Sequence, residues 1–186
     1  MASERELKFR VEDRSALVAR LMDLQAEHVT ETRFEDNWVF DRDNELFDSR
    51  CLLRLRIEKR GSILTYKGPP RFEGPVKIRD EYESGVEDHE AIRELLEHLG
   101  YRVATRYQKR RDEWRVGGIT VALDNTPMGD FVEFEGEGAE KLSARCGFAA
   151  ESAEPKTYLE LYADYRRDHP DEPEEMLFPQ SGQSSG

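Results

Sequence analysis

The sequence predicts an α+β protein in which antiparallel strands close into a barrel of two similar halves, flanked by α-helices. Three observations support this fold. Apolar and polar residues alternate with period two over most of the chain, two segments have helical periodicity, and one pattern recurs after 75 residues. The 186 residues suffice for one domain with a substantial core. We therefore expect a single barrel domain over residues 1–166.

The alternating segments predict the strands. We expect them at residues 3–11, 29–41, 51–60, 62–68, 76–86, 101–115, 118–124 and 130–136. Arg60-Gly61-Ser62 and Gly117-Gly118 have the residue types of tight hairpin turns. The strands on either side of each turn are therefore expected to pair antiparallel.

Two segments between strands predict amphipathic helices. In each, apolar residues recur at helical spacing behind a capping aspartate: Leu17, Leu21 and Leu24 behind Asp13, and Ile92, Leu95, Leu96 and Leu99 behind Asp88. Gly100 suits the left-handed position that ends the second helix. Further helices are expected near 138–146 and 157–166. Pro, Asp, Glu, Ser and Gly dominate from Asp168 onward, so we expect residues 167–186 to be a disordered tail.

The two aspartate-capped helices belong to an internal repeat. Val11-Glu12-Asp13 and Val86-Glu87-Asp88 each end a charged strand and begin a helix. Other residues correspond at the same offset: Glu6 with Glu81, Leu17 with Ile92, Leu21 with Leu96, and Leu24 with Leu99. Two such halves satisfy their unpaired strand edges by closing on each other. The alternative is chance similarity among residues that commonly start helices.

Composition excludes several classes of protein. A net charge of −12 argues against non-specific nucleic-acid binding, which requires a basic surface. The acidity fits either adaptation to high salt or ordinary solubility. No apolar run is long enough for a membrane span, and the charged N-terminus is unlike a signal peptide, so we expect a cytoplasmic protein without a membrane partner. The cysteines and histidines have no ligand spacing, which argues against a disulfide framework or a zinc site.

One face of the predicted sheet carries doublets of like charge. Three are acidic and three are basic: Glu4 and Glu6, Glu81 and Glu83, Glu133 and Glu135, then Arg54 and Arg56, Lys77 and Arg79, Lys109 and Arg111. Same-face neighbours lie about 6.6 Å apart, where like charges repel by about 0.6 kcal/mol in water and about 2.5 kcal/mol at an effective dielectric near 20. The doublets therefore indicate a polyanion with divalent cations, which compensates both signs. The alternative is an ordinary solvated face.

The residue types suit phosphate chemistry. Carboxylates are hard ligands for Mg²⁺ or Mn²⁺, arginine binds phosphate oxygens through two donors, and lysine supplies a point charge. Fixed cations stabilise charge on a transferring phosphate, so such a lining can support phosphoryl or nucleotidyl transfer. The sequence has neither a Gly-rich phosphate loop nor a dinucleotide fingerprint.

The Glu4-x-Glu6-x-Lys8 start resembles the signature of the CYTH superfamily, the triphosphate tunnel metalloenzymes, which includes class IV adenylyl cyclases and thiamine triphosphatases. The likeness extends to about Tyr162. Similar motifs follow in family order: Leu53-Arg54-Leu55-Arg56, Leu64-Thr65-Tyr66-Lys67-Gly68-Pro69, Lys77-x-Arg79-x-Glu81-x-Glu83, Lys109-x-Arg111, Leu123-Asp124, Gly129-Asp130-Phe131-Val132-Glu133-Phe134-Glu135 and Lys156-Thr157-Tyr158-Leu159-Glu160-Leu161.

This resemblance implies an eight-stranded antiparallel tunnel and a set of site residues. Metal ligands would be Glu4, Glu6, Glu133 and Glu135, with Glu81 and Glu83 as further candidates. Phosphates would bind to Arg54, Arg56, Lys67, Lys77, Arg79, Lys109, Arg111 and Lys156. Lys8 and Asp124 are candidate catalytic residues. Lys8 could orient the carboxylates, contact a phosphate or assist a nucleophile, and Asp124 is suited either to a metal or water contact or to a structural hydrogen bond. The segment Phe47-Asp48-Ser49-Arg50-Cys51 departs from the family pattern, which leaves the substrate preference at that end of the tunnel open.

Three functions are consistent with these residues. The first is hydrolysis of the terminal phosphate of inorganic triphosphate or of a nucleoside or thiamine triphosphate. The second is an adenylyl cyclase that makes cyclic AMP and pyrophosphate from ATP, and the third is a non-catalytic polyphosphate-binding module. The expected partner is thus a small-molecule triphosphate, and the resemblance also implies a homodimer because family members often dimerise.

Overall fold

The computed structural model describes residues 2–179. The elements in chain order are β1 (Ala2–Val11), α1 (Arg14–Asp23), β2 (Glu27–Asp41), α2 (Glu45–Asp48), β3 (Leu52–Glu58), β4 (Gly61–Lys67), β5 (Arg71–Glu73), β6 (Val76–Val86), α3 (His89–His98), β7 (Arg102–Val116), β8 (Ile119–Thr126), β9 (Gly129–Glu135), α4 (Ala139–Arg145) and α5 (Tyr158–Asp168). No helix among these residues is long and apolar enough to span a membrane.

Eight strands form a closed antiparallel barrel, as the alternation predicts. Their order is β1-β9-β8-β7-β2-β3-β4-β6, and β6 pairs back onto β1 to complete the circle. Closure leaves no long unpaired edge. The three-residue β5 lies outside the circle on the edge of β6, and neither it nor the four-residue α2 was predicted. Both are too short to have a recognisable period.

The internal repeat is confirmed in the architecture. Helix α3 and strand β7 begin and end 75 residues after α1 and β2. Strand β1 pairs with β6 and β2 pairs with β7, as an approximate two-fold relation between the halves requires. The two helices also start alike, because Asp13 accepts the backbone N–H of Ala16 and Asp88 accepts that of Ala91, each at 2.9 Å.

Two of the three hydrophobic clusters in the described residues lie outside the barrel wall, beneath the helices. Strand residues such as Leu7 and Phe134 point outward and are covered by α1 and α4, whereas Phe40 and Leu55 pack under Leu96 of α3. Because successive side chains of a strand point to opposite faces, this outward apolar set directs the charged residues into the barrel.

Helix α5 and the segment after it close one end of the barrel. Met176 is fully buried beside Tyr107 and Tyr162, and its carbonyl accepts the backbone N–H of Gln108 at 2.8 Å. Arg110 stacks on Phe178 at 3.9 Å from the ring centre. Arg167 and Asp168 of the predicted tail belong to α5, and the contacts of Met176 and Phe178 place the following segment, up to residue 179, against the barrel. Residues 180–186 of the predicted tail lie outside the described residues.

Candidate functional site

The barrel encloses a cavity of about 510 Å³ lined mainly by inward side chains. Its lining includes ten basic and eight acidic residues, a formal excess of two positive charges, whereas the whole chain carries −12. The predicted charged face is thus the interior surface. A net positive cavity in an acidic protein attracts an anion selectively.

Four of the predicted metal ligands come from β1 and β9. Glu6 lies directly opposite Glu135 in the strand register, and Lys8 lies opposite Glu133. Burial raises the pKa of Glu135 to about 8, and repulsion from Glu133, Glu4 and Glu6 adds to this effect; attraction from Arg111, at 3.6 Å, offsets it only in part. The negative charge of the carboxylates around Glu135 is therefore only partly compensated by neighbouring cations.

Other carboxylates in the cavity have strong cationic partners. Lys77 contacts Glu6 at 2.8 Å, and Lys67 contacts Glu4 at 2.5 Å and Glu81 at 3.3 Å. Burial alone would raise the pKa of Glu6, but attraction from Lys77, together with other lysines, outweighs it and lowers that pKa to about 2. Glu6 is therefore ionised over the whole physiological range of pH.

Among residues 2–179, no three His, Cys, Asp or Glu side chains are arranged closely enough to hold a metal ion. Glu81 and Glu83 are held by basic and hydroxyl groups instead, with Glu83 accepting from Thr65 at 2.8 Å. The raised pKa of Glu135 is the observation that fits a cation, because a divalent ion between Glu135 and its acidic neighbours would relieve their repulsion. The donor chemistry of Glu4, Glu6, Glu133 and Glu135 thus suits Mg²⁺ or Mn²⁺.

Arg54 and Arg56 lie on the β3 side of the cavity. Arg54 donates to the hydroxyl of Tyr107 at 3.1 Å and to that of Thr65 at 3.4 Å, and Arg56 lies 3.0 Å from Glu58. Both side chains line the cavity, and the Nε atom of Arg54 has no hydrogen-bond partner within the described chain. Arg54 therefore keeps one buried donor without a partner among the described residues.

Asp124 is a structural anchor and not a residue of the cavity surface. It is fully buried and accepts hydrogen bonds from Lys109 at 2.9 Å, from the Nε and Nη2 atoms of Arg111 at 2.7 Å each, and from the Tyr158 hydroxyl at 2.7 Å. Four donors occupy its acceptor sites, so the contacts of Asp124 support the structural hydrogen-bonding role, and a catalytic role stays an untested prediction. It positions Lys109 and Arg111, which do line the cavity.

Lys8 lies inside the cavity as predicted, with its charge held by several groups. Its Nζ atom donates to the carbonyl of Lys156 at 3.1 Å, lies 3.4 Å from Glu133 and sits 4.3 Å above the ring of Tyr158. Burial would lower the pKa of Lys8, but Glu133 and Glu6 raise it above its usual value. A lysine that stays protonated is suited to binding phosphate and not to acting as a general base.

Two predicted phosphate ligands make other contacts. The Lys156 side chain is 49% exposed, pairs with Asp164 at 2.5 Å and is absent from the cavity lining, so the structure does not bring it together with the other predicted ligands. Arg79 lines the cavity but donates to the backbone carbonyls of Gly68 at 2.7 Å and Arg50 at 2.8 Å. Its guanidinium holds the chain at the edge of the cavity.

Several site residues were missed because no charged face was assigned to β2 and because the charged face of β7 was followed only from Lys109 to Arg111. Arg33 and Glu113 line the cavity, and the buried Glu35 lies 3.6 Å from Lys109. Phe34, Trp38 and Phe40 alternate with Arg33, Glu35 and Asn37 in the sequence, and this signal could have been used. Tyr107 and Tyr158 also line the cavity, but their aromatic character alone predicts a core position.

Comparisons with known proteins identify the family to which this barrel belongs. The CYTH domain model matches residues 2–156. A Methanocaldococcus jannaschii protein named "putative adenylate cyclase" is 28% identical over 133 residues, which are 71% of this chain and 75% of that protein.

Two solved structures have the same barrel. A Vibrio parahaemolyticus protein, also described as a "putative adenylate cyclase", superposes with a TM-score of 0.75 at 23% identity, covering 86% of this chain and 97% of its own. A Hippeastrum adenylyl cyclase homologue, described as having a dominant triphosphatase activity, superposes with a TM-score of 0.58 at 18% identity, covering 98% and 92%. With the family model matching most of its length, this chain belongs to the CYTH domain family.

Proposed function

We propose that this protein is a divalent-metal-dependent triphosphatase that hydrolyses the terminal phosphate of a triphosphate bound in the barrel. The observation that carries the proposal is the net positive cavity inside a strongly acidic protein. A linear triphosphate has the charge and the length to contact basic residues on several strands at once.

The residues divide into two groups by charge, which lie close together in the cavity. Lys8, Lys109 and Arg111, with Arg54 and Arg56 on β3, bind the phosphate chain. Glu4, Glu6, Glu133 and Glu135 hold Mg²⁺ or Mn²⁺, which when bound supplies positive charge to phosphate oxygens and orients water. The basic side chains hold the bound phosphates in one orientation. Fixed charges of this kind stabilise the charge that develops while the terminal phosphate is transferred.

The second candidate is an adenylyl cyclase, favoured by the name of the Methanocaldococcus jannaschii relative. In that reaction the ribose 3′-hydroxyl attacks the α-phosphate and pyrophosphate leaves. The same charged lining serves both reactions, because they differ in which phosphorus is attacked and by which nucleophile.

The test is product analysis. Purified protein is incubated separately with ATP and with inorganic triphosphate, each with Mg²⁺ or Mn²⁺, and the products are separated by chromatography. We expect orthophosphate from inorganic triphosphate, at a higher rate than any product from ATP. Cyclic AMP and pyrophosphate from ATP, with inorganic triphosphate inert, would instead establish the cyclase.

Metal dependence is tested in the same assay. EDTA is expected to abolish turnover, and Glu133→Gln to reduce it by at least a hundredfold, because the variant removes one carboxylate of the proposed metal site. Glu140→Gln on α4 is the matched control, since Glu140 is exposed and outside the cavity. Full turnover in EDTA would refute the proposal.

A further inference from the structure

One edge of the cavity is built differently from the rest. The segment between β2 and β3, residues 42–51, contributes Phe47, Arg50 and Cys51 to the lining; we call it the rim segment. Leu52, Pro70 and Leu159 add further apolar surface to the lining, whereas most other lining residues are charged.

A buried carboxylate fixes one end of the rim segment. Asp41, which is buried at the end of β2, accepts the backbone N–H groups of Arg42 at 2.6 Å, Leu46 at 3.0 Å and Phe47 at 2.9 Å. These bonds hold the short helix α2 against the barrel wall. The backbone of Phe47 is therefore fixed although this helix has only four residues.

A buried cation fixes the other end. Arg79 donates to the carbonyl of Arg50 at 2.8 Å, and the backbone N–H of Arg50 donates to the carbonyl of Phe47 at 2.9 Å. Arg50 has a φ of 58°, a left-handed conformation that is costly for a residue with a side chain and persists only where its surroundings impose it. The fold thus imposes one conformation on both ends of the rim segment.

This rigid segment presents an aromatic side chain to the cavity. Phe47 lines the cavity yet remains 39% exposed. Leu52, Arg54 and Arg56 occupy successive inward positions of β3, spaced by about 6.6 Å. Leu52, at the apolar edge of the cavity, is therefore the next inward residue beyond Arg54. A substrate whose phosphates contact Arg54 and Arg56 would have its organic group at this edge.

We propose that the rim segment binds the planar ring of a nucleoside triphosphate, with the face of Phe47 against the ring while the phosphates occupy the basic lining. The proposal deepens the proposed function and rests on its triphosphate site. An aromatic side chain on a fixed backbone offers a stacking surface at little cost in conformational entropy, and such stacking tolerates any base. Asp41 and Arg79 are positioning residues in this arrangement.

The experiment compares Phe47→Ala with Phe34→Ala. Phe34 is similarly exposed, at 45%, but lies outside the cavity lining and is the matched control. Dissociation constants for ATP and for inorganic triphosphate are measured by calorimetry with Mg²⁺. We expect Phe47→Ala to raise the ratio of the ATP constant to the inorganic triphosphate constant about tenfold, Phe47→Trp to keep the wild-type ratio, and Phe34→Ala to leave both constants unchanged.

The outcomes separate this inference from the proposed function. An unchanged ratio in Phe47→Ala would refute the ring site even if the protein hydrolyses both compounds. A raised ratio without turnover of either compound would support the ring site while the triphosphatase proposal fails. Wild-type protein that binds inorganic triphosphate but not ATP would also overturn the ring site.

Discussion

Single buried carboxylates position the basic side chains of the cavity before any ligand is bound. Glu35 and Asp124, both fully buried, lie 3.6 Å and 2.9 Å from the amine of Lys109. Burial would raise the pKa of Glu35, but Lys109, Arg111 and the arginines of β3 lower it to about 2. These carboxylates compensate basic side chains that would otherwise repel one another. The basic side chains are therefore already in position before a ligand binds.

We expect Glu35→Gln to lower the free energy of unfolding at pH 7 by about 3 kcal/mol, because it removes a buried negative charge that Lys109 and the neighbouring arginines stabilise. The ordinary pKa of 4.5 falls to about 2 on folding. The carboxylate therefore contributes stability above pH 4.5, and this contribution is lost as the pH falls towards 2. Urea unfolding of wild type and variant at pH 7 and at pH 3 measures the difference, which should be smaller at pH 3.

Glu113→Gln is the control for this measurement. Glu113 also lines the cavity but is partly exposed and pairs with Arg33 at 2.9 Å, so we expect its loss to cost less than about 1 kcal/mol. An equal cost of Glu35→Gln at both pH values would contradict the electrostatic explanation and indicate a packing effect.

The sequence predicts which residues face inward better than it predicts their partners. Alternation correctly assigned the inward positions of Arg54, Lys77 and Lys109 because it depends only on strand geometry. The roles of Arg79 and Asp124 depend on atoms of distant segments, such as the Arg50 carbonyl and the Tyr158 hydroxyl, which no local pattern reveals. The register shifts of β2 near Thr30 likewise interrupt a simple alternation.

At the scale of elements, helix α5 closes one end of the barrel and brings the following segment with it. Its start was predictable, because Thr157 and Glu160 form a reciprocal capping box. The order of the next segment was not predictable from composition. It depends on Met176 reaching Tyr107, a contact between residues far apart in sequence.

We expect Met176→Ala to lower the free energy of unfolding by about 2–4 kcal/mol, since it removes a fully buried side chain and leaves a cavity. Met22→Ala on α1 is the matched control, because Met22 is 61% exposed, and its effect should stay within about 0.5 kcal/mol. Chemical denaturation of the two variants checks this. Equal stabilities would mean that residues after α5 do not contribute to the folded domain.

At the scale of the whole molecule, two similar halves make an interior that is not symmetric in charge. Glu6 and Glu81 correspond in the repeat, and each has a lysine opposite it on one neighbouring strand. On the other side Glu6 faces Glu135 of β9, whereas Glu81 faces the uncharged Ala2 of β1. The repeat was readable because both halves begin their helices in the same way. The unequal distribution of charge between the halves could not be predicted from the sequence, because it depends on which strands become neighbours when the barrel closes.

This distribution predicts that metal and triphosphate bind cooperatively. A divalent cation alone enters a cavity with ten basic lining residues, and a triphosphate alone meets eight acidic ones. Each ligand compensates the charge that opposes the other, and the coupling between the two sites must be reciprocal. Mg²⁺ and inorganic triphosphate together, at about a hundred times their joint dissociation constant, should stabilise the fold by about 2.7 kcal/mol, which raises the melting temperature by roughly 5–10 °C for a domain of this size.

The measurement is thermal unfolding with Mg²⁺ alone, with inorganic triphosphate in EDTA, and with both. We expect the combined rise in melting temperature to exceed the sum of the separate rises. Glu135→Gln should reduce this excess, because it removes a carboxylate whose pKa is raised to about 8 by burial and, in addition, by repulsion from Glu133, Glu4 and Glu6 that a cation would relieve. Glu140→Gln, exposed on α4, should keep the full excess. Additive rises in the wild type would mean that the carboxylates of β1 and β9 do not bind a metal ion that contacts the phosphates. The basic lining would then bind the triphosphate independently of metal.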